Sequence, residues 1–314
     1  MNHPHVFSGN PLDRGESQRR DEDWIARTAE DPTSRFLPMW GPRVLITEGS
    51  ASSGHFGPGL GWVTREDLTQ VGISPTLLLL GIKDDTAYYA VDLSQHESAG
   101  EQLQGRNGYT FEDARTAAEE FLTGPEAGIL AQGRAQINWH NRHGFCSVCG
   151  HQTTIQRGGQ KRQCPACKAE HFPRVDPVII CVVSDGERCL LGQSRGRLAQ
   201  QNRYSALAGF VDQGETIEEA VAREIREEAG LQVRNVRYHS SQPWPFPSSL
   251  MMGCHAEAAT TEINMDREEM TDVRWFGRQE VLLALEGKNE NLRLPGRIAI
   301  AHHLIKAWAN GEVT

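Results

Sequence analysis

The segment Gly209-Phe-Val-Asp-Gln-Gly-Glu215-Thr-Ile-Glu-Glu-Ala-Val-Ala-Arg223-Glu224-Ile-Arg-Glu227-Glu228-Ala-Gly230-Leu231 decides how this chain is read. A glycine-bearing loop leads into a helix over about 217–229. Thr216 caps the helix, Glu219 three residues on completes a capping box, and Gly230 supplies the stop. Ile217, Ala220, Val221 and Ile225 recur at helical spacing and define the inward stripe. At about 100° per residue, Glu224 and Glu228 fall in the same sector as Ile217 and Val221, with Glu227 on one flank. These acids also occupy the C-terminal turns, where the helix dipole disfavours negative charge. A merely solvated acidic face would avoid both features. Inward carboxylates need a counter-charge, and a divalent cation supplies it. An all-oxygen ligand set selects Mg²⁺ or Mn²⁺ over zinc. Arg223 reaches Glu227 at i,i+4 and is placed to orient it. Cations held there neutralise phosphate oxygens and activate water, so the expected reaction is hydrolysis of a phosphoanhydride. No G-x-x-x-x-G-K-[ST] loop occurs, which argues against a P-loop NTPase.

Working outward, residues 178–184 and 188–192 read as strands joined by a turn at Asp185-Gly186. Residues 204–208 lead into the glycine loop. Later strands fall near 233–240 and 250–258, and a helix runs over about 297–308. Upstream, 76–82 and 86–93 read as a hairpin around Lys83-Asp84-Asp85. Residues 111–122 read as a helix stopped by Gly124-Pro125, and 126–140 as another. The expected division is a mobile N-terminal arm over 1–35, a small α/β domain over 36–142, a cysteine cluster over 143–172 and a catalytic domain over 173–314. The arm is inferred from its polar, charged, proline-spotted composition.

Cys146-Ser-Val-Cys149 and Cys164-Pro-Ala-Cys167 are two C-x-x-C pairs. Such turns let two sulfurs reach one ion, and a hairpin brings the second pair across. Four thiolates leave no open position for water, so the expected role is structural, with one Zn²⁺. Four unrelated thiols, a thioredoxin-like redox pair, or substitution by His140, His143, His151 or His171 fit the paired spacing less well. Cys181, Cys189 and Cys254 lie in apolar strand patterns and read as core thiols.

Residues 241–251 alternate Pro243, Pro245 and Pro247 with Trp244 and Phe246. Proline fixes φ, so this reads as a stiff loop presenting flat rings suited to a nicotinamide or adenine. A rigid connection with buried rings is the plainer alternative. The formal net charge of -9 argues against broad electrostatic binding of nucleic acid. No run of about 18 apolar residues is present, so no membrane span is expected. The beginning of the chain lacks the apolar core of a secretory signal, and a cytoplasmic address is the default expectation.

Gly209, Glu215, Arg223-Glu224-Ile225, Glu227-Glu228 and Gly230-Leu231 fill every fixed position of G-x5-E-x7-R-E-U-x-E-E-x-G-U, so the segment resembles the Nudix box. The resemblance implies a Nudix α/β/α sandwich catalytic domain. It implies metal ligands at Glu224 and Glu228, with Glu227 as ligand or base. It adds the backbone carbonyl of Ala208 and the acid Glu269, whose neighbour is Glu268. Residues 241–249 match S-Q-P-W-P-F-P-x-S, which follows the box in the NADH pyrophosphatase family. That family also carries a zinc ribbon before the catalytic domain and an extra N-terminal domain. The resemblance implies cleavage of NADH, and less well NAD⁺, to NMNH or NMN plus AMP. Related members remove NAD caps from RNA 5′ ends, and many are homodimers. Carried over residue by residue, Gln242, Pro243, Trp244, Pro245, Phe246, Pro247, Ser248 and Ser249 line the substrate. Phe172 and Phe210 stack on a base, and Ala301 is a further contact. Gly159 departs from the pattern, standing where some members have a substrate-contacting glutamate. A zinc-ribbon binding protein with an inactive Nudix domain is the rival reading, and the intact glutamate set argues against it.

Overall fold

The computed structural model describes residues 5–48 and 58–313. These fall into two compact units. One comprises the chain up to Arg174 together with Trp244–Ser248, and the other comprises Val175–Pro243 and Ser249–Thr314.

The first unit begins with α1 (Glu22–Glu30), whose N-cap Asp21 accepts from the Trp24 amide. Its strands are β1 (Arg35–Trp40), β2 (Arg43–Thr47), β3 (Gly59–Leu60), β4 (Leu77–Lys83), β5 (Thr86–Asp92) and β6 (Tyr109–Asp113). Its further helices are α2 (Arg65–Gln70), α3 (Glu97–Leu103), the single turn α4 (Ala114–Thr116) and the long α5 (Gly124–Arg142). The sheet order is β3-β2-β1-β5-β4, with β6 on β2. The expected hairpin around Asp84-Asp85 is present as β4–β5. The expected helix over 111–122 is a correction. Phe111 is buried opposite Leu45 in β6, and only residues 114–121 are helical. Cross-strand burial of the ring outweighs the helical propensity of its neighbours.

The mobile arm is also corrected. Residues 1–4 lie outside the described residues, but 5–34 are anchored at intervals by buried side chains. Phe7, Leu12 and Arg19 are buried. Arg19 lies wholly inside, donating from Nε to Arg14 O (2.5 Å), from Nη1 to Arg157 O (3.3 Å) and Gly158 O (3.2 Å), and from Nη2 to Leu79 O (2.6 Å). A guanidinium with four of its five N–H donors met by carbonyls can be buried where composition alone suggests solvent.

The cysteine region forms a three-stranded sheet of β7 (Thr154–Gln156), β8 (Lys161–Gln163) and β9 (Glu170–His171). The turn between β7 and β8 explains Gly159. Its φ is +96°, and a β-carbon there would lie 2.8 Å from Leu78 Cδ2.

The second unit is built on β10 (Asp176–Ser184), β11 (Arg188–Ser194), β12 (Leu207–Phe210), β13 (Val233–Trp244), β14 (Ser249–Ala258) and β15 (Met270–Gly277). The order is β13-β14-β10-β11-β15, with β12 antiparallel to β10 and β14 parallel to it. Its helices are α6 (Arg197–Gln200), α7 (Ile217–Ala229), α8 (Arg278–Leu285) and α9 (Ile300–Ala309). Alternation along β10 sorts the layers. Ile179, Cys181 and Val183 pack with Val221 and Ile225 of α7. Ile180 and Val182 pack with Val281 of α8 and with Leu304 and Trp308 of α9. Strand side chains alternate between faces, so one β-branched run builds two cores and an α/β/α sandwich.

The proline-rich stretch is a strand and turn, not an extended loop. β13 runs through Trp244, β14 resumes at Ser249, and only 245–248 turn. β13 lies at the sheet edge, where a proline such as Pro243 is tolerated.

Candidate active site and zinc centre

Helix α7 starts with the expected capping box between Thr216 and Glu219 and ends at Gly230 with φ +74°. Val221 and Ile225 are fully buried, and Glu224 and Glu228 are only 9% and 6% exposed, so both acids continue the inward stripe. Gly209 makes this possible. A β-carbon there would lie 2.0 Å from Glu224 Cδ and Oε1.

Arg223 does more than meet Glu227. Its Nε and Nη2 donate to Glu215 at 2.6 and 2.8 Å, and Nη1 donates to Glu224 (2.8 Å) and Glu227 (2.9 Å). Nη2 also donates to Phe210 O at 2.8 Å, tying the loop to the helix. The partnership with Glu215 was legible only as a fixed position of the box. Hydrogen bonds from Arg223 lead in holding the Glu215 carboxyl down at about 2. Glu224 is raised, first by burial, although Arg223 opposes the shift.

Glu228 is the most perturbed acid. Burial first, then the charges of Glu224 and Glu269, push its carboxyl up to about 8, against a hydrogen bond from the Ala208 backbone. Its Oε2 is buried and finds no hydrogen-bond partner among the described residues. The charge of Glu269 acts on both Glu224 and Glu228. Glu227 is exposed. A set of oxygens with one buried and orphaned fits a hard divalent cation, which would meet the stranded oxygen and offset the repulsion. Among the described residues these carboxylates are not gathered as closely as the four sulfurs are.

Those sulfurs all lie within 4.8 Å of one another. Cys146–Cys167 is 3.6 Å, and Cys149–Cys164 and Cys149–Cys167 are 3.4 Å each. Tetrahedral zinc with bonds of about 2.3 Å requires edges of about 3.8 Å, so the donors fit. The amides of Val148 and Cys167 point at Cys146 and Cys164 Sγ, at 3.4 and 3.5 Å, and favour thiolates. His171 and His151 approach Cys146 and Cys149 Sγ at 3.3 and 3.7 Å and flank the sulfurs without replacing any. His140 is occupied elsewhere. Its Nε2 lies 2.9 Å from Gly159 O, its Nδ1 2.9 Å from Arg162 Nη1, and burial first lowers it to about 4.

The carried-over substrate residues divide. Phe172 and Phe210 are each 59% exposed and present open rings. Gln242 is wholly buried, donating to Ile298 O (2.7 Å) and accepting from the Ile300 amide (2.8 Å). Ala301 is buried on the same first turn of α9. Trp244 and Phe246 are half-buried beside Phe7, and Pro245 is buried.

The glycine loop, arginine clasp and inward acids define a Nudix domain, and the model of that domain matches residues 173–294. The NADH pyrophosphatase zinc ribbon domain matches 141–172, and the NADH pyrophosphatase-like rudimentary NUDIX domain matches 33–139. The NAD-capped RNA hydrolase NUDT12 of Macaca fascicularis is 38% identical over 338 residues, covering 96% of this chain and 72% of that protein. The mitochondrial NAD(P)H pyrophosphatase NUDT13 of Mus musculus is 37% identical over 286 residues, 85% of this chain and 78% of that one. The NAD-capped RNA hydrolase NudC of Mycobacterium bovis is 43% identical over 192 residues, 59% of this chain and 61% of that one. The chain belongs to the Nudix hydrolases of the NADH pyrophosphatase family. Among the described residues no helix is long and apolar enough to cross a membrane.

Proposed function

We propose that this chain hydrolyses the pyrophosphate bond of NADH, and of NAD⁺ less well, to AMP and NMNH or NMN. The observation that carries the reading is the buried Glu224–Glu228 pair with its orphaned Glu228 oxygen. Bound Mg²⁺ or Mn²⁺ supplies charge neutralisation at the phosphates and an activated water. Glu224, Glu228 and Glu269, with the Ala208 carbonyl, would hold the metal. Glu227, exposed and steered by Arg223, is a ligand or takes the water's proton. Phe210 and Phe172 offer ring faces to a base. Gln242 to Ser249 and Ala301 are the further substrate contacts that the family resemblance proposes.

The test is release of AMP from NADH with defined metals, with Glu228→Gln expected to lower kcat by about 10³-fold while the fold is retained. Wild-type turnover by that variant would refute the assignment.

Removal of NAD caps from RNA at the same site is a second reading, supported by the relatives named NAD-capped RNA hydrolases. Comparison of kcat/KM on NADH and on a capped oligonucleotide decides between the two. A homodimer is proposed from the family resemblance, with β13 at the sheet edge and its Tyr238 exposed, and light scattering tests it. Four cysteines are gathered for zinc and Cys181, Cys189 and Cys254 are buried thiols, a usage that suits a reducing compartment. We take it to be the cytoplasm, to be checked by cell fractionation.

A further inference from the structure

The Trp244–Ser248 tip of the β13–β14 hairpin clusters with the first unit, and its surroundings there are specific. Phe7 is 1% exposed and sits edge-on to Trp244 at 5.9 Å and to Phe246 at 5.7 Å. Trp244 and Phe246 meet at 5.3 Å, which completes a three-ring cluster. Arg134 donates from Nε to Pro245 O at 2.9 Å and lays its guanidinium 4.8 Å from the Phe246 ring centre. Arg115 covers Trp244 at 5.3 Å. Phe7 itself has φ +71°, a conformation that a bulky residue holds only where its surroundings enforce it. The enforcement is visible next along the chain. Asn10 Nδ2 donates to Gln132 Oε1 at 2.8 Å. A β-carbon on Gly128 of α5 would lie 2.6 Å from Asn10 N and 2.9 Å from Ser8 O, so this segment rests directly on the helix backbone.

We propose that Phe7 is a positioning residue for the reaction: it seats Trp244 and Phe246 and so fixes the hairpin on which the substrate is bound. The inference rests on the proposed NADH hydrolysis. It recasts the two rings, which are turned to Phe7, Arg115 and Arg134 and hold the hairpin for its flanking residues. Edge-on aromatic pairs are directional, so a leucine that fills the space does not reproduce them.

The experiment compares Phe7→Ala and Phe7→Leu with wild type in the full-length protein. It reads hydrogen exchange over 240–252 together with steady-state kinetics on NADH. Phe7→Ala is expected to speed exchange at the tip and raise KM about tenfold while kcat stays within about twofold, and Phe7→Leu should fall between it and wild type. Unchanged exchange at the tip overturns the proposal, as does a lower melting temperature with unchanged KM. If Phe7→Ala does not fold, Phe7→Leu decides by the same two readouts. If the wild-type chain releases no AMP from NADH, the functional reading fails, and the exchange measurement still judges whether Phe7 seats the tip.

Discussion

Gly209 and the Glu224 carboxylate exclude each other from any larger space: a β-carbon on the glycine would lie 2.0 Å from Oε1. Gly209→Ala must therefore displace the acid or spread β12 from α7. A shift of about 1 Å in a catalytic group costs about 10²-fold in rate. The expected outcome is a kcat lowered by about that factor with circular dichroism unchanged. An alanine variant as fast as wild type would show that the close contact is not needed.

Glu228 makes metal-free stability depend on pH. Its folded carboxyl is raised to about 8 from an ordinary 4.5. Between those values the folded state holds a proton that the unfolded state has lost. Its contribution is thus fully present below about 4.5 and is lost as pH rises towards 8. Chelated protein should lose up to about 1.4 kcal/mol per pH unit from this group within that window. Glu228→Gln should flatten the slope, and added Mg²⁺ should stabilise most at the alkaline end. Urea titrations at several pH values measure both effects, and an equal slope in the variant would contradict the assignment.

The four sulfurs should bind one zinc per chain. Cys164→Ser should lose the metal, because one neutral hydroxyl cannot replace a thiolate in the tetrahedron. The expected result is a metal content near zero by emission spectrometry and a melting temperature lower by roughly 5 °C or more. Retention of full zinc would mean that a flanking histidine, His171 or His151, takes the vacant place.

Arg19 should be worth far more than its polar surroundings in the sequence suggest. Arg19→Met leaves the carbonyls of Arg14, Leu79, Arg157 and Gly158 short of a donor. The expected destabilisation is on the order of 3 kcal/mol by chemical denaturation. Arg19→Lys should recover little of it, since one ammonium cannot serve carbonyls arranged around a fork. A variant within experimental error of wild type would rule out this role.

The catalytic helix was legible because every cue there agrees: cap, stripe, stop and acid spacing all specify the observed α7. The zinc centre was equally plain, since C-x-x-C spacing encodes its geometry locally. The N-terminal 34 residues were not. Phe7, Leu12 and Arg19 are isolated in a polar run, and their partners lie far along the chain, at Trp244, Gly81 and Gly158. No period of two or 3.6 announces such contacts. Phe111 misled for a related reason, its strand pairing with Leu45 being non-local. The bridge that Gln242 makes between Ile298 and Ile300 was not legible either, since a glutamine with such partners has the same one-letter pattern as one without them.

The seating of Trp244 and Phe246 beside Phe7 bears on how this architecture can be taken apart. A cut at 173, where the Nudix match begins, yields a fragment that looks self-sufficient on paper. That fragment would carry two naked aromatic rings at a hairpin end, prone to self-association. The boundary of the family match therefore parts these rings from the phenylalanine that seats them, and an excised sandwich would keep the hairpin without its anchor.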